Sequence, residues 1–202
     1  MKILVTGYSG FVGKKLISKL KKEKVEIYYF GRKKVFNNFI KLNYNFKNIY
    51  KILNKIKPDI IINLAAVVDF SKELKNMNFI NWKLPKYLAD YCKKNKKYLI
   101  HTSGTLVHGI NNEFSIKTSY KPTNYYAKSK LRGDKAIIKS KCNFLILRLP
   151  GIFGYNGPKH LLINNLIRAK FQRKKIIFKG NLDSKRNYIF VNDVVNLILK
   201  NL

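Results

Sequence analysis

With 202 residues, 46% of them hydrophobic, the chain is long enough for one domain with a substantial core and too short for two full-sized ones. No apolar run approaches the roughly 18 residues that span a bilayer, and no cleavable leader follows the apolar residues 3–5, so we expect a soluble, cytoplasmic protein without membrane contact. The formal net charge of +32 raises nucleic-acid binding as a function, but the basic residues are spread along the whole chain, as on a solvated surface.

Short apolar segments rich in β-branched and aromatic residues alternate with longer segments of helical periodicity. The predicted strands are 2–6, 26–30, 40–42, 59–64, 98–103 and 144–149, and the predicted helices are 11–22, 46–56, 72–94 and 125–139. Strands that are almost continuously apolar and are joined by helices are typical of a parallel sheet buried on both faces. We therefore predict an α/β fold with a doubly wound, Rossmann-like parallel sheet over residues 1–150.

The pattern loosens after Pro150. A segment with several glycines is followed by a predicted helix near 160–172, a short strand at 175–178 and a terminal helix from Val191. We interpret residues 151–202 as a small, partial substrate-binding lobe.

Glycines at positions 7, 10 and 13 mark the place where the first strand turns into the first helix. The first glycine permits a tight turn, the second lets the backbone approach a pyrophosphate, and the third lets helix and strand pack closely. Free N–H groups at the start of the helix attract the same anion. This context predicts a dinucleotide site, and the contact residues expected from the motif are Gly7, Tyr8, Ser9, Gly10, Phe11 and Val12.

The segment after the second strand indicates which dinucleotide binds. It reads Phe30-Gly31-Arg32-Lys33-Lys34 and contains no Asp or Glu to accept hydrogen bonds from a ribose 2′-hydroxyl, whereas a cation there suits a 2′-phosphate. Arg32 is the first candidate for this contact and Lys33 the second, with a solvated side chain as the alternative for both. NADP is therefore the predicted cofactor, and NAD is the alternative.

Tyr126 and Lys130 have a Y-x-x-x-K spacing at the start of a predicted helix, which places both side chains on one face, one turn apart. A tyrosine with an ordinary pKa of about 10 is a poor base at neutral pH. A neighbouring ammonium favours the phenolate and lowers that pKa, so the pair could exchange a proton with an alcohol or ketone while a hydride moves to or from nicotinamide. Because this spacing is common by chance, its weight comes from the glycine motif that precedes it.

Together, these motifs make the chain resemble the extended short-chain dehydrogenase/reductase family, also called the NAD-dependent epimerase/dehydratase family. The resemblance runs from Met1 to the last residues. The other matching segments are 59–66, Asn81, 99–103, 107–109, 147–154 and 186–194. The family implies an enzyme that reduces, epimerises or dehydrates a nucleotide-linked sugar.

The resemblance also implies roles for single residues. Tyr126 would be the general acid/base, and Lys130 would bind the nicotinamide ribose and tune Tyr126. Arg186 resembles a residue that often contacts substrate phosphates. Further cofactor contacts implied by the resemblance are Asn43, Leu64, Ala65, Ala66 and Pro150.

One departure from the family pattern affects catalysis. Gly104 stands where the family usually has a catalytic Ser or Thr, so either Thr105 or Ser103 supplies the hydroxyl, or the site works without it, or activity is impaired. We favour Thr105, because glycine flexibility at a strand end could absorb a shift of one residue.

Three other departures concern the surroundings of the site. His108 stands where the family commonly has Tyr, and Asn43 stands where an Asp often contacts the adenine. Family members also continue well beyond the region 191–194, whereas this chain stops at Leu202, so we expect either a truncated chain or a partner that closes the pocket.

Our leading hypothesis is an oxidoreductase or epimerase that moves a hydride between NADP(H) and a carbinol or keto carbon of a nucleotide sugar. A homodimer is the assembly that we consider for it. The alternative is a dinucleotide-binding Rossmann protein whose catalysis is impaired or lost. Nucleic-acid binding ranks last, because the chain carries no recognised nucleic-acid motif. The spacing of the two cysteines and three histidines predicts neither a metal site nor a disulfide framework.

Overall fold

A computed structural model describes residues 1–32, 34, 36–42, 46–74, 76–109, 115, 117–175 and 185–202. The chain divides into two compact units, Met1–Arg148 and Leu149–Leu202. The predictions made for Lys33 and Asn43, and most of the strand predicted at 175–178, lie outside the described residues.

Strands and helices alternate through the first unit, and their bounds agree with most of the predicted elements. In chain order they are β1 (Lys2–Thr6), α1 (Phe11–Leu20), β2 (Glu26–Gly31), β3 (Phe39–Lys41), α2 (Phe46–Ile56), β4 (Ile60–Asn63), α3 (Leu84–Asn95), β5 (Tyr98–Gly104), α4 (Tyr125–Ser140) and β6 (Asn143–Leu149).

Among the described residues, the six strands form one sheet in the order β3-β2-β1-β4-β5-β6. The strands from β3 to β5 pair in parallel. This is the order of a dinucleotide-binding α/β sheet, in which the connections reverse direction between β1 and β4. Ligands of such sheets bind outside the carboxyl ends of the strands at this point. A ligand site is therefore expected at the ends of β1, β4 and β5.

The core explains why these segments form strands and helices. Ile3, Leu4 and Val5 of β1 are all completely buried, as expected for a central strand covered by helices on both faces. Ile49 and Leu53 of α2 are four residues apart and equally buried, so they form the apolar stripe that packs on the sheet. Burying one such side chain contributes about 1.5 to 3 kcal/mol.

The predicted helix at 72–94 is shorter than expected at its start. Asp69 Oδ1 accepts hydrogen bonds from the backbone N–H groups of Ser71 and Lys72, a contact that can also cap a helix. No helix follows it directly among the described residues. A π-helical turn, Phe79–Lys83, leads into α3 instead.

The second unit contains β7 (Gly151–Phe153), α5 (Leu162–Gln172), β8 (Tyr188–Phe190) and α6 (Val191–Lys200). The two short strands pair in parallel, and neither was predicted from the sequence. Asn164 is buried and ties the unit together by accepting from the N–H of Gly154 at 3.0 Å and donating to the carbonyl of Pro158 at 3.2 Å. The role of this unit as a substrate lobe stays a prediction. Within the described ranges, none of the helices has the length and apolar character needed to cross a bilayer.

Candidate active site

The glycine turn lies between β1 and α1, at the carboxyl end of the central strand. Gly7 has a φ of +66°, in the left-handed region that favours glycine. A Cβ atom at Gly7 would lie 2.6 Å from the backbone N of Ala65, and one at Gly13 would lie 2.3 Å from the carbonyl oxygen of Gly7. Both glycines are therefore required by close packing within the turn.

Gly10 is different, because the fold alone does not require a glycine there. Its φ of −75° suits any residue, and a Cβ atom would meet the carbonyl oxygen of Gly7 at 3.2 Å. Gly10 is also the N-cap of α1 and has no side chain to bond the N–H groups of the first turn. An open backbone face beside free N–H groups fits the pyrophosphate of a dinucleotide.

The end of β2 bears on the choice between NAD and NADP. Arg32 follows β2 and is exposed, and it makes no hydrogen bond or ion pair with another described residue. A Cβ atom at Gly31 would lie 2.7 Å from Cε1 of Tyr8. The buried Tyr8 ring thus fills the space that a side chain at the end of β2 would need, so an acidic residue could not replace Gly31 without displacing that ring.

The predicted pair, Tyr126 and Lys130, lies on the first turns of α4, beside the end of β5. The helix begins after Asn124, whose side chain accepts a hydrogen bond from the N–H of Ala127 at 2.8 Å. Tyr126 is partly exposed, and its ring contacts Phe70 edge-on with the centroids 5.6 Å apart. Lys130 is buried, and its Nζ donates to the carbonyl oxygen of Thr102 in β5 at 2.6 Å.

The pKa values of this pair differ from the sequence-based expectation. Removal from water, helped by the charge of Asp134, raises the pKa of Tyr126 to about 12. Burial lowers the pKa of Lys130 to about 8, against an opposing effect of Asp134. In the chain by itself, desolvation and Asp134 thus raise the pKa of Tyr126, where the sequence predicts that Lys130 lowers it. Tyr126 is a phenol at neutral pH and is suited to donate a proton.

Asp134 lies one helical turn after Lys130 and is fully buried. Its Oδ2 accepts a hydrogen bond from Nε of Arg148 at 3.0 Å, while its Oδ1 has no hydrogen-bond partner among the described residues. Burial raises the pKa of Asp134, and Lys130, Ser103 and Arg148 oppose that rise. Asp134 was not among the residues predicted from the sequence. Its spacing of four residues from Lys130 could have indicated it, because residues at this spacing lie on the same face of a helix.

The two candidate hydroxyl donors near Gly104 have different surroundings. Ser103 is buried and lies near enough to Asp134 to affect its pKa, yet its Oγ makes no hydrogen bond with any described residue. Thr105 begins the 3₁₀ turn Thr105–His108 and is partly exposed. Gly104 is extended, with φ −132° and ψ 147°, which any residue adopts, so glycine flexibility is not what places Thr105.

His108, at the position of the family's Tyr, packs inside the protein. Its Nδ1 lies 3.2 Å from the carbonyl oxygen of Ser119, and its ring stacks on Tyr120 with the centroids 5.2 Å apart. Arg148 donates to the hydroxyl of Tyr120 at 2.8 Å. These contacts hold the segment that leads into α4.

Asn81 holds the other side of the site. Its side chain accepts from the N–H of Val67 at 2.8 Å and donates to the carbonyl of Val67 at 2.7 Å and to Oγ of Ser129 at 2.9 Å. Ser129 in turn donates to the carbonyl oxygen of Tyr126. One buried amide therefore links the loop after β4 to the first turn of α4.

The remaining predicted contacts fall in two places. The structure puts Leu64, Ala65 and Ala66 directly after β4, at the same sheet edge as the glycine turn, and the N–H of Ala65 bonds to Thr6. Pro150 and Arg186 belong to the second unit, so their assigned contacts stay predictions. Within the described part of the chain, no group of three or more His, Cys, Asp or Glu side chains could hold a metal ion.

A buried histidine next to Lys130 makes the stability depend on pH. Burial, with the charge of Lys130, keeps the pKa of His101 well below its ordinary value, so below about pH 6.5 the unfolded chain binds a proton that the folded chain does not. We expect the free energy of unfolding to fall by up to about 1.4 kcal/mol per pH unit in that range. Urea unfolding at several pH values should show this slope in the parent and a smaller one in His101→Gln. His108→Gln is the control, and equal slopes for all three proteins would contradict the assignment.

The chain is similar to known enzymes, several of which act, by their names, on nucleotide-linked sugars. The family model described as "NAD dependent epimerase/dehydratase family" matches residues 3–202. GDP-6-deoxy-D-talose 4-dehydrogenase of Aggregatibacter actinomycetemcomitans is 32% identical over 212 residues, which cover 99% of this chain and 69% of that protein. dTDP-D-glucose 4,6-dehydratase of Dictyostelium discoideum is 27% identical over 234 residues, with coverages of 96% and 54%.

The fold is shared with solved structures. The UDP-glucuronic acid 4-epimerase of Bacillus cereus, crystallised with UDP-glucuronic acid and NAD, superposes with a TM-score of 0.82 at 21% identity, over 100% of this chain and 73% of that chain. This likeness confirms the predicted α/β fold. Since the family match spans nearly every residue, the chain belongs to the NAD dependent epimerase/dehydratase family.

Proposed function

We propose that the chain is an NAD(P)-dependent enzyme that moves a hydride to or from a carbinol or keto carbon of a nucleotide-linked sugar. The observation that carries this proposal is that one unit holds both an open backbone face at Gly10 and a tyrosine–lysine pair beside β5. The named relatives act, by their names, on GDP- and dTDP-linked sugars, which supports the substrate class. Because the chain spans 69% and 54% of those relatives, the substrate is part of the proposal.

The residues of the first unit divide the chemistry between them. The backbone at Gly7 and Gly10 would hold the pyrophosphate, and Lys130 would bind the ribose on the nicotinamide side. The bound dinucleotide supplies or accepts the hydride. Tyr126 donates its phenolic proton to the sugar oxygen as a keto carbon is reduced, and takes the proton back when a carbinol is oxidised. A phenol whose pKa is raised to about 12 keeps its proton at neutral pH, which is the form that donates.

We assign the hydroxyl that supports Tyr126 to Thr105, because Thr105 is partly exposed whereas Ser103 is buried beside Asp134. Thr105→Val should lower turnover by about 10-fold, the effect of losing one hydrogen bond worth roughly 1.4 kcal/mol. Ser103→Ala should change turnover less. Steady-state rates of the two variants, compared at saturating dinucleotide, test the assignment. A larger loss in Ser103→Ala would reverse it.

NADP is the dinucleotide we propose, and Arg32 is the residue that would bind its 2′-phosphate. Arg32 is exposed at the end of β2, and the Tyr8 ring occupies the space in which a carboxylate at position 31 would contact a 2′-hydroxyl. The similarity to proteins that bind NAD supports a nicotinamide dinucleotide of either kind, so the preference depends on these residues alone.

We expect the parent to bind NADPH more tightly than NADH and Arg32→Asp to erase or reverse that difference, because the variant removes a cation and adds an anion beside the phosphate. Titration calorimetry with both dinucleotides measures the ratio. Lys24→Asp is the matched control, since Lys24 is exposed, precedes β2 and gives the same change in net charge. Equal affinities of the parent for both dinucleotides would refute the preference.

The proposed function itself is tested with the full chain in two steps. Calorimetry first measures dinucleotide binding, and turnover is then tested with GDP-6-deoxy-D-talose, dTDP-D-glucose and UDP-glucuronic acid, the sugars named for similar proteins. The absorbance of reduced nicotinamide follows a net oxidation, and chromatography of the sugar nucleotides detects epimerisation or dehydration, in which the hydride returns to the sugar and no reduced dinucleotide accumulates. Binding together with turnover of any of them supports the proposal. Tight binding without turnover would support the alternative of a dinucleotide-binding protein that has lost catalysis, which the glycine at position 104 favours.

A further inference from the structure

A buried row of polar side chains crosses the carboxyl ends of three neighbouring strands. In the register of the sheet, Thr6 of β1 lies opposite Asn63 of β4, and Asn63 lies opposite His101 of β5. Lys130 of α4 closes the row, because its Nζ lies 3.3 Å from Nε2 of His101. All four side chains are buried, so each polar group needs a partner of the right kind.

The hydrogen bonds at the β1 end determine how the Asn63 amide is oriented. The N–H of Ala65 donates to Oγ1 of Thr6 at 3.1 Å, which leaves the hydroxyl proton for Oδ1 of Asn63 at 2.6 Å. Thr6 has no other acceptor in the part of the chain that the structure describes. The amide oxygen of Asn63 therefore faces Thr6, and its NH₂ group faces Nδ1 of His101 at 2.9 Å.

This orientation determines the tautomer of His101. Because Nδ1 accepts a hydrogen bond from Asn63, it carries no proton, and the proton of the neutral ring is on Nε2. Burial, the larger cause, keeps the pKa of His101 well below its ordinary value, so the ring stays neutral in either charge state of Lys130. The Nε2–H group consequently lies 3.3 Å from Nζ of Lys130 and 3.8 Å from Oδ1 of Asp134.

An Nε2–H group at this distance discriminates between the two charge states of Lys130. An ammonium has no lone pair and cannot accept a hydrogen bond from His101, whereas a neutral amine can accept it and still donate to the carbonyl of Thr102. We propose that His101 is a positioning residue that favours the neutral amine of Lys130, so that Lys130 loses its proton more readily in the chain by itself than when a ligand brings acceptor groups to it.

Asp134 is the charged group that opposes this role. It favours the ammonium, and while its Oδ2 is bonded to Arg148, its Oδ1 lies 3.8 Å from Nε2 of His101 and has no hydrogen-bond partner among the described residues. Tyr126 is an uncharged phenol at neutral pH, because its pKa is raised to about 12. Burial lowers the pKa of Lys130 to about 8, in the direction that His101 also favours.

The proposal has a consequence for ligand binding. Ribose hydroxyls could accept from Lys130 and favour its ammonium, so dinucleotide binding near pH 8.5 should take up as much as about one proton per chain. This consequence depends on the proposed function. The tautomer of His101 and the titration of Lys130 do not depend on the proposed function, so both can test the role of His101 even if no dinucleotide binds.

Nuclear magnetic resonance of the full chain labelled with ¹⁵N-histidine measures the tautomer directly. The chain has three histidines, and the signal of His101 is the one lost in His101→Gln. We expect a neutral ring protonated on Nε2 at pH 7. A ring protonated on Nδ1, or an imidazolium, would overturn the proposal.

A titration of ¹³C-labelled lysine, with Lys130 assigned from Lys130→Met, measures the effect on the amine. In His101→Gln the new amide can turn its oxygen toward Nζ, so the midpoint of Lys130 should rise by about one pH unit. His108→Gln is the matched control, because His108 is also buried but bonds to Ser119, and its midpoint should equal that of the parent.

A second variant acts from the far end of the row and covers the case in which His101→Gln does not fold. Thr6→Val removes the proton that orients Asn63, so the amide can rotate and the midpoint of Lys130 should rise as well. Unchanged midpoints in the folded variants would refute the proposal.

Calorimetry in two buffers of different ionisation enthalpy then counts the protons taken up with the dinucleotide. Uptake by the parent and its loss in His101→Gln support the proposal, and equal uptake by both overturns it. If no dinucleotide binds, the proposed function fails while the two resonance measurements still decide the role of His101.

Discussion

Tyr126→Phe is expected to lower the turnover of a keto-sugar nucleotide by about 10²- to 10⁴-fold, the usual contribution of a positioned general acid. Dinucleotide affinity should stay close to that of the parent, because the variant keeps the ring and its contact with Phe70 and loses only the phenolic proton. Steady-state kinetics and calorimetry on the same preparations separate the two effects.

The neighbouring residue provides the control. Tyr125→Phe removes the same hydroxyl one position earlier in α4, from a side chain that is 47% exposed, and should leave both turnover and affinity unchanged. Equal turnover by the parent and Tyr126→Phe would show that the reacting proton comes from another group.

Gly10→Val is expected to abolish dinucleotide binding. The backbone at Gly10 already has a φ that valine tolerates, and the nearest atom to a Cβ is the carbonyl oxygen of Gly7 at 3.2 Å, so the variant should fold after a small local adjustment. Its branched side chain would then occupy the face that the pyrophosphate approaches. Calorimetry measures the loss of binding, and circular dichroism verifies the fold.

Ser18→Val is the matched control, because it places valine at an exposed position two turns later in α1. Valine at this helical position costs a few tenths of a kcal/mol to about 0.7 kcal/mol, so the variant controls for a mild loss of stability. It should bind the dinucleotide like the parent. Undiminished affinity in a folded Gly10→Val protein would exclude the glycine turn as the pyrophosphate site.

Local patterns were sufficient for most of the fold. The strand at 2–6 and the helix at 46–56 were predicted with the bounds that the structure has, because continuous apolar strands and a helical stripe such as Ile49 and Leu53 are periodic signals within a short window. The glycine spacing at Gly7 and Gly13 was equally informative, since each glycine answers a steric need that any sequence with this turn must meet. The family resemblance, which rests on such local motifs, was confirmed by the match of the family model to residues 3–202.

The third helix begins later than the periodic segment predicts, because a π-helical turn, Phe79–Lys83, precedes it. The strands β7 and β8 were missed because each is short and pairs with a segment far along the chain, Gly151 opposite Tyr188. The spacing from Lys130 predicts a lowered pKa for Tyr126, whereas desolvation raises it in the chain by itself, because desolvation depends on what surrounds a side chain.

What the sequence by itself determined was the α/β fold class, the family, the glycine turn and the position of Tyr126 and Lys130 on the first turns of one helix, because each is visible in local patterns along the chain. Only the tertiary structure could bring Thr6, Asn63 and His101 into one buried row. Thr6 and Asn63 are 57 residues apart in the chain and Asn63 and His101 are 38 apart, and the register of the parallel strands places them side by side. It likewise decided that Ser103 lies buried beside Asp134 while Thr105 is partly exposed. Burial and partner geometry set the charge and hydrogen bonding of these groups, and both properties exist only once distant segments have packed together.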